Sequence, residues 1–299
     1  MKYLTFSILI LFGTIFLISS CKDDEPCIET TWYEDADGDG LGNPDISQTD
    51  CEQPTGYVAD NSDTDDTVVN PSPEGTTPIS AFDEFNADAV NVSFDGDEIT
   101  IESTGVPNHT SPYWDTGNSL YIDPVIADPN QMSPGAINTG SYTVTVPASP
   151  RKAANTSDTG LGAIGIAVSG APIFNDEEGP NISLSENVAS GFDYAGGHMG
   201  PTGYHYHLES ADVEENTLLS HDDERLVGIL QDGFLIYGRK CNATDDYPTD
   251  LDESGGHISA TQHSNGEEFY HYHIINELYI GPYILLFGAE LQGTPNNIQ

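Results

Sequence analysis

Positively charged side chains are scarce in this sequence. Its 299 residues include seven Lys and Arg against 49 Asp and Glu, which gives a formal net charge of −42. Proteins that bind nucleic acid neutralise its phosphates with Lys and Arg, so this composition argues against nucleic acid as a partner. The acidic surplus fits either a solvated surface or a set of divalent-cation sites, and both interpretations stay open.

Long helical patterns are missing as well. Hydrophobic residues make up 37% of the chain, and no long stretch places them at heptad or helical spacing. Short segments that alternate apolar and polar residues, or are apolar throughout, predict strands instead. These segments are 89–94, 98–101, 141–146, 161–168, 226–230, 233–238 and 279–287. The sequence therefore predicts a mainly β fold, a compact β-rich domain with few short helices.

One long apolar run is present, at the start of the chain. It covers Leu4–Ile18 after Lys2, which is short for a membrane span and has the shape of a signal peptide. The residues that end it, Ile18-Ser19-Ser20-Cys21, resemble a bacterial lipobox, and the following Lys22-Asp23-Asp24-Glu25 resembles the surface-export tag of Bacteroidetes lipoproteins. These resemblances imply lipidation of Cys21 and a lipid-anchored protein facing outward from the outer membrane. An ordinary signal peptide is the alternative.

Cysteine occurs at four positions. With Cys21 lipidated, Cys27 and Cys51 can pair across a short loop, as is usual outside the cytosol. Cys241 is then left over. It is either a buried, inert thiol or a soft metal ligand.

An acidic segment, 21–75, has almost no apolar residues that could form a core. Alternating aspartates precede Gly40, and alternating carboxylates before a glycine turn are how loops surround Ca²⁺. An EF-hand would need Glu where Ile46 stands. The segment therefore resembles the calcium-binding aspartate repeats of the thrombospondin type 3 and MopE-like kind, with a disordered acidic linker as the alternative. The predicted calcium ligands are Asp35, Asp37, Asp39, Asp63, Asp65 and Asp66.

A histidine unit occurs twice in the second half of the chain. The pattern Asp-x-x-Gly-Gly-His followed by Tyr-His-Tyr-His opens at Asp193 and again at Asp252. Chance would produce one such tetrapeptide on the order of 10⁻³ times in a chain of this composition. Six of the nine histidines lie in these units: His198, His205, His207, His257, His271 and His273.

The spacing within each unit is typical of metal ligation. In an extended Tyr-His-Tyr-His segment, both histidines point to one face and both tyrosines to the other. Two such imidazoles can chelate one ion, and the upstream His198 or His257 can supply a third nitrogen, a ligand set that suits zinc or copper. Structural histidines that are hydrogen-bonded in a polar core are the alternative.

Residues from about 90 to 290 resemble the YHYH domain family of secreted and lipoprotein bacterial proteins. Besides the two units, the segments that carry the resemblance are 105–109, 164–175 and 232–238. The family commonly places cysteine before each Gly-His, whereas this chain has Ala195 and Ser254 before its Gly-Gly-His motifs. The resemblance adds His109 as a further candidate ligand and brings no reaction with it.

These features divide the chain into five parts. They are a lipoprotein signal peptide at 1–20, an acidic calcium-binding module and tether at 21–75, a linker at 76–88, a YHYH domain at 89–292 and a tail at 293–299.

Three functions are compatible with the sequence. The first is an outer-membrane, surface-exposed lipoprotein that binds copper or zinc through its His-x-His units. The second is a metal-dependent hydrolase of an extracellular polymer or ester, with Asp232 or Glu209 as the base. No nucleophile elbow, phosphate loop or His-Glu-x-x-His motif supports a familiar hydrolase class. The third is a calcium-rigidified adhesive protein that contacts an extracellular partner.

Overall fold

The structure is a computed structural model that divides into two compact units, Met1–Val69 and Asn70–Gln299. The residues it describes are 29–38, 40–61, 63, 66–67, 74–124, 126–211, 223–288 and 290–299. The predicted signal peptide, lipidation at Cys21, the half-cystine Cys27 and the ligands Asp39 and Asp65 lie outside these residues. Within the described ranges, no helix has the length and apolar character needed to cross a membrane.

The first unit contains a small antiparallel sheet. Its strands are β1 (Thr30–Glu34), β2 (Ser47–Asp50) and β3 (Tyr57–Val58), in the order β2-β1-β3. Cys51, directly after β2, is disulfide-bonded. Such a bond suits a unit with so few apolar side chains, because it restrains the unfolded chain.

The second unit is built from strands β4 to β21, which confirms the predicted mainly β fold. Helical structure in its described part is limited to two 3₁₀ segments, Ile79–Glu84 and Pro129–Gln131, and one α-helical turn, α1 (Glu186–Ala189). Eight strands form the main sheet: β8 (Ala163–Ala167), β9 (Pro172–Phe174), β12 (Gly197–Gly200), β13 (Gly203–Tyr206), β15 (Leu226–Leu230), β16 (Leu235–Tyr237), β17 (Gly256–Ser259) and β18 (Phe269–His273). The others are β4 (Val90–Asp95), β5 (Glu98–Ser103), β6 (Tyr142–Pro147), β7 (Lys152–Ser157), β10 (Glu177–Gly179), β11 (Ile182–Ser183), β14 (Leu208–Ser210), β19 (Leu278–Ile280), β20 (Tyr283–Leu285) and β21 (Leu291–Gly293).

The main sheet repeats the same substructure on either side of its centre. Its order is β12-β13-β9-β8-β15-β16-β18-β17. The central pair, β8 and β15, is antiparallel. Outward from this pair, each half has an antiparallel neighbour, then a parallel strand carrying Tyr-His-Tyr-His, then an antiparallel edge strand carrying Gly-His. The two histidine units therefore belong to the two opposite ends of a pseudo-twofold sheet.

Each face of the main sheet contributes to a different cluster of buried side chains. Ile236 packs with Tyr204, Tyr206, Tyr270 and Tyr272 in one cluster. Its neighbours Leu235 and Tyr237 pack in the other cluster, together with apolar residues of the sheet β4-β5-β6. This division follows from the alternation of side chains along a strand.

The segments predicted as linker and tail are parts of this unit. Ala81, Phe82 and Phe85, within the predicted linker 76–88, are buried in the second cluster. In the predicted tail 293–299, the Gln299 amide donates to the carbonyl of Thr143. The prolines and polar residues around 72–80 suggested a linker, but the apolar side chains directly after them have a hydrophobic surface to cover.

Replacing Phe82 by Ala is expected to lower the free energy of unfolding by about 3 to 4 kcal/mol, because the ring is buried against Phe85 and Phe94. Ile79→Ala is the matched control from the same segment. Ile79 is 65% exposed, so the change should cost less than about 0.5 kcal/mol. Urea unfolding of the two variants measures both values, and equal costs would contradict burial of this segment.

Candidate metal centres

A tight turn sets up the first histidine unit. Gly196, with φ of 72°, donates its amide to the carbonyl of Asp193. The Asp193 carboxylate accepts from the amides of Ala195 and Gly197 and from the Tyr204 hydroxyl. One aspartate therefore fixes the turn before β12 and the strand paired with it, which explains the Asp-x-x-Gly-Gly-His spacing.

The first centre consists of His198, His205 and His207. The pairing of β12 with β13 places His198 directly opposite His205, and His207 follows at the end of β13. Each ring offers one nitrogen, and these three nitrogens lie within 4.8 Å of one another. The structure therefore brings the three histidines of this unit together on one side.

The Nδ1 atom of each of these rings already has a polar partner. Nδ1 of His205 donates to the carbonyl of Gly203, and Nδ1 of His207 donates to that of Asn175. A carbonyl can only accept, so Nδ1 carries the proton and Nε2 keeps its lone pair in the neutral ring. Nδ1 of His198 contacts Ser133 Oγ at 3.1 Å. This orientation is the one that metal-bound histidines show, with the second nitrogen held by a fixed partner.

A carboxylate completes the first centre. Oε1 of Glu178 lies 3.3 Å from His198 Nε2 and 3.7 Å from His207 Nε2. Burial alone would raise the pKa of Glu178, but its hydrogen bond to His198 and the neighbouring imidazoles bring the pKa below its usual value. Glu178 is not predictable from the sequence, because nothing distinguishes one acid in the run Asp176-Glu177-Glu178 of so acidic a chain.

The second histidine unit, which opens at Asp252, is built in the same way. Gly255 makes the same turn, with φ of 80° and an amide bond to the carbonyl of Asp252. The Asp252 carboxylate accepts from the amides of Ser254 and Gly256 and from the Tyr270 hydroxyl. Each hydrogen bond of the first turn therefore has a counterpart in the second.

The second centre consists of His257, His271 and His273. His257 lies opposite His271 in the pairing of β17 with β18. Nδ1 of His271 donates to the carbonyl of Phe269, and Nδ1 of His273 donates to that of Gly238. The two Nε2 atoms then face each other at 3.1 Å.

Cys241 lies beside this centre. Its Sγ and one nitrogen each of His257 and His273 lie within 4.8 Å of one another. The Ser259 hydroxyl contacts Cys241 Sγ at 3.3 Å and His257 Nε2 at 3.0 Å. Burial by itself raises the pKa of the thiol, but hydrogen bonds from Ser259 and from backbone amides, together with His257, bring that pKa below its usual value.

The two centres are separate. The strands that carry them, β13 and β18, have four strands between them. At about 4.8 Å per strand, the spacing is roughly 24 Å along the sheet. Each unit can therefore bind its own ion.

Comparison with known proteins identifies part of this arrangement. A family model described as "YHYH protein" matches residues 143–254. Residues 143–254 are therefore similar to the YHYH family. The match is narrower than the resemblance over 90–290. It includes the whole first histidine unit and stops before His257. The equivalence of the second histidine unit therefore rests on the geometry given above. No curated protein and no solved structure matches the chain.

Three further predicted site residues of the second compact unit do not belong to either group of converging histidines. His109 bonds Tyr206 through Nε2 and the carbonyl of Thr110 through Nδ1, so neither nitrogen is directed at an ion. Asp232 accepts from the hydroxyl of Tyr272, on the tyrosine face of β18. Glu209 is fully buried and accepts from the amide of Ser210. His109 and Asp232 therefore support the tyrosines behind the histidines, and Asp232 and Glu209 are both buried.

The first compact unit, Met1–Val69, brings three of the predicted calcium ligands together. Carboxylate oxygens of Asp35, Asp37 and Asp66 lie within 4.8 Å of one another. Asp66 also accepts from the amide of Ala36, which joins the two acidic stretches. Asp63 is buried.

In the absence of metal, the second compact unit is expected to lose stability as the pH falls from about 6.5 towards 4. Burial, reinforced by the neighbouring imidazoles, lowers the pKa of His205 and His271. Burial also lowers the pKa of His273, and that of His207 to about 4. A group with a depressed pKa in the folded state stabilises fully above its unfolded pKa and loses that contribution on acidification. For His207 alone the loss reaches about 3 kcal/mol by pH 4.

Urea unfolding at pH 7.5, 5.5 and 4.5 measures this loss, and His207→Asn should make it smaller. The comparison isolates His207 from Asp232, whose pKa burial raises to about 6. A raised carboxyl pKa acts in the other direction, because its stabilising contribution is lost as the pH rises. An equal pH dependence in wild type and variant would contradict the role of His207.

Proposed function

We propose that the second compact unit, Asn70–Gln299, binds two transition-metal ions, one at each histidine centre, with zinc and copper as the best matches to the ligands. The observation that carries this proposal is the contact between His271 and His273. Both rings donate Nδ1–H to a carbonyl, so two lone pairs face each other at 3.1 Å. Such a pair repels in the neutral state, and a shared cation removes the repulsion.

The distances fit an ion of this class. Zinc–nitrogen bonds of about 2.1 Å at a tetrahedral ion place two ligand nitrogens about 3.4 Å apart. The contact between His271 and His273 is close to that value, and the nitrogens of the first centre, which lie within 4.8 Å of one another, need to approach by at most about 1.4 Å. Neutral imidazoles are also the protonation state that a metal requires, and burial favours that state here.

Metal analysis of the purified full chain tests the proposal. After dialysis against Zn²⁺ or Cu²⁺ at pH 7.5, two ions per chain should remain, and a chelator should lower the melting temperature. At 100 times the dissociation constant, each ion adds about 2.7 kcal/mol to the free energy of unfolding. A chain that retains neither ion, with no thermal shift, sinks the proposal.

One observation favours hydrolysis as a second candidate function. A cavity of about 300 Å³ beside the second centre is lined by His273, Asp176 and Glu277, with apolar walls from Leu278 and Phe287. A metal-bound water that reaches this cavity could attack an ester or polymer. Hydrolysis of a small ester by the zinc-loaded chain, lost in His273→Asn and kept in His207→Asn, tests this candidate.

We further propose that the first compact unit binds calcium through Asp35, Asp37 and Asp66. The support is the convergence of their carboxylates and the positive φ of Gly38 and Gly40, which lets the loop curl around an ion. Calcium should protect the segment 29–67 from proteolysis, and Asp66→Asn should abolish that protection. Equal cleavage with calcium and with chelator speaks against the site.

We also propose that the chain is a lipoprotein on the outer face of the outer membrane, which the lipobox-like sequence before Cys21 supports. Metabolic labelling with a fatty acid should mark the wild-type chain and leave Cys21→Ser unlabelled. Protease treatment of whole cells then tests the surface location. Labelling of the Cys21→Ser chain would overturn the lipid attachment.

A further inference from the structure

The two centres share a fourth ligand position. The carbonyl of Asn175 holds His207, and Glu178 follows three residues later. The carbonyl of Gly238 holds His273, and Cys241 follows three residues later. The pseudo-twofold sheet therefore brings a carboxylate to one centre and a thiol to the other at equivalent places in the chain.

The neighbours of this position are equivalent as well. Glu178 approaches the first and the last histidine of its unit, His198 and His207. Cys241 groups with the first and the last histidine of its unit, His257 and His273. The thiol is thus not a lone cysteine. It occupies the position that Glu178 occupies beside two imidazoles at the first centre.

The environment of Cys241 suits a ligand. The residue is 1% exposed, and a turn in which its amide and the carbonyl of Asp246 form a hydrogen bond fixes its backbone. Its Sγ reaches the ring of His257 through a single hydroxyl, that of Ser259. The sulfur and a nitrogen of the imidazole themselves lie within 4.8 Å of each other.

We infer that the two centres select different ions. The second centre binds a soft ion, Cu⁺ or Zn²⁺, through the thiolate of Cys241 in addition to its three histidines, His257, His271 and His273. The first centre replaces the thiolate by the carboxylate of Glu178 and so favours a harder divalent ion. On binding, the thiol proton passes to solvent. This inference rests on the proposed metal binding and adds the ligand that separates the two sites.

Cobalt substitution tests the inference on the full chain, because a thiolate bound to Co²⁺ gives a near-ultraviolet charge-transfer band that imidazole and carboxylate do not. The chain carries Cys21→Ser to remove the thiol outside the domain, and Cys51 is disulfide-bonded. Two Co²⁺ per chain and this band are expected. Cys241→Ser should lose the band, and Glu178→Gln, the matched change at the other centre, should keep it.

The outcomes separate the two proposals. Two bound Co²⁺ without the band would overturn the thiolate ligand and leave metal binding intact. A band that persists in folded Cys241→Ser would overturn it too. No bound Co²⁺ would overturn both proposals. If Cys241→Ser fails to fold, the band in the parent chain still decides, because Cys241 is the free cysteine within the described residues.

Discussion

His207→Asn is expected to reduce the bound metal from two ions to one per chain. The variant keeps a side-chain donor for the carbonyl of Asn175 and removes Nε2, the nitrogen available to an ion. Affinity at the first centre should fall more than about 100-fold, because changes behind the ligands already cost ten- to a hundredfold. Metal analysis with isothermal titration calorimetry measures both the stoichiometry and the affinity.

His273→Asn is the matched variant at the second centre. It removes the equivalent nitrogen and keeps a donor for the carbonyl of Gly238. Each variant should lose a different ion, and the double variant should lose both. Loss of both ions in either single variant would contradict two independent centres. An unchanged stoichiometry in both variants would show that neither histidine is a ligand.

Much of this architecture is predictable from the sequence because strands leave a local pattern. The alternating segments at 89–94, 98–101 and 141–146 form β4, β5 and β6 with shifts of one or two residues. The period of two in Tyr-His-Tyr-His also predicts the division between buried tyrosines and converging histidines, since it follows from strand geometry alone.

Residues that approach from distant parts of the chain are not predictable in this way. Glu178 reaches the first centre from outside the motif, and nothing in the acidic run around it distinguishes one carboxylate. Cys241 could be read as inert or as a ligand until the fold places it beside His257. His109 has the residue type of a ligand, but its contact with Tyr206 depends on a strand almost a hundred residues away.

Gly196→Ala is expected to destabilise the second compact unit by more than about 4 kcal/mol. An added Cβ would lie 1.9 Å from the carbonyl oxygen of Leu208, a backbone atom that cannot move without shifting its strand. The φ of 72° adds the cost of a left-handed backbone, about 1 kcal/mol for Ala. The carbonyl of Gly196 also accepts from the amides of His207 and Leu208, so any relaxation displaces His207 from the first centre.

Gly255→Ala is the internal control, because the same turn in the second unit has different surroundings. Its φ of 80° carries the same backbone cost, but the nearest atoms to an added Cβ belong to the side chain of Ile275 at 3.3 Å. That side chain can move, so the cost should be about 1 to 2 kcal/mol. Gly96→Ala, with positive φ and no atom within 4 Å, gives the backbone cost alone.

Urea unfolding of these three variants, followed by metal analysis of those that fold, separates the steric cost from the backbone cost. If Gly196→Ala folds at all, it should bind one ion instead of two, because only the first centre depends on that turn. Equal destabilisation by Gly196→Ala and Gly255→Ala would mean that the first turn has more room than the structure gives it. The convergence of His198 and His207 would then lose its main support, since this turn brings β12 to the end of β13.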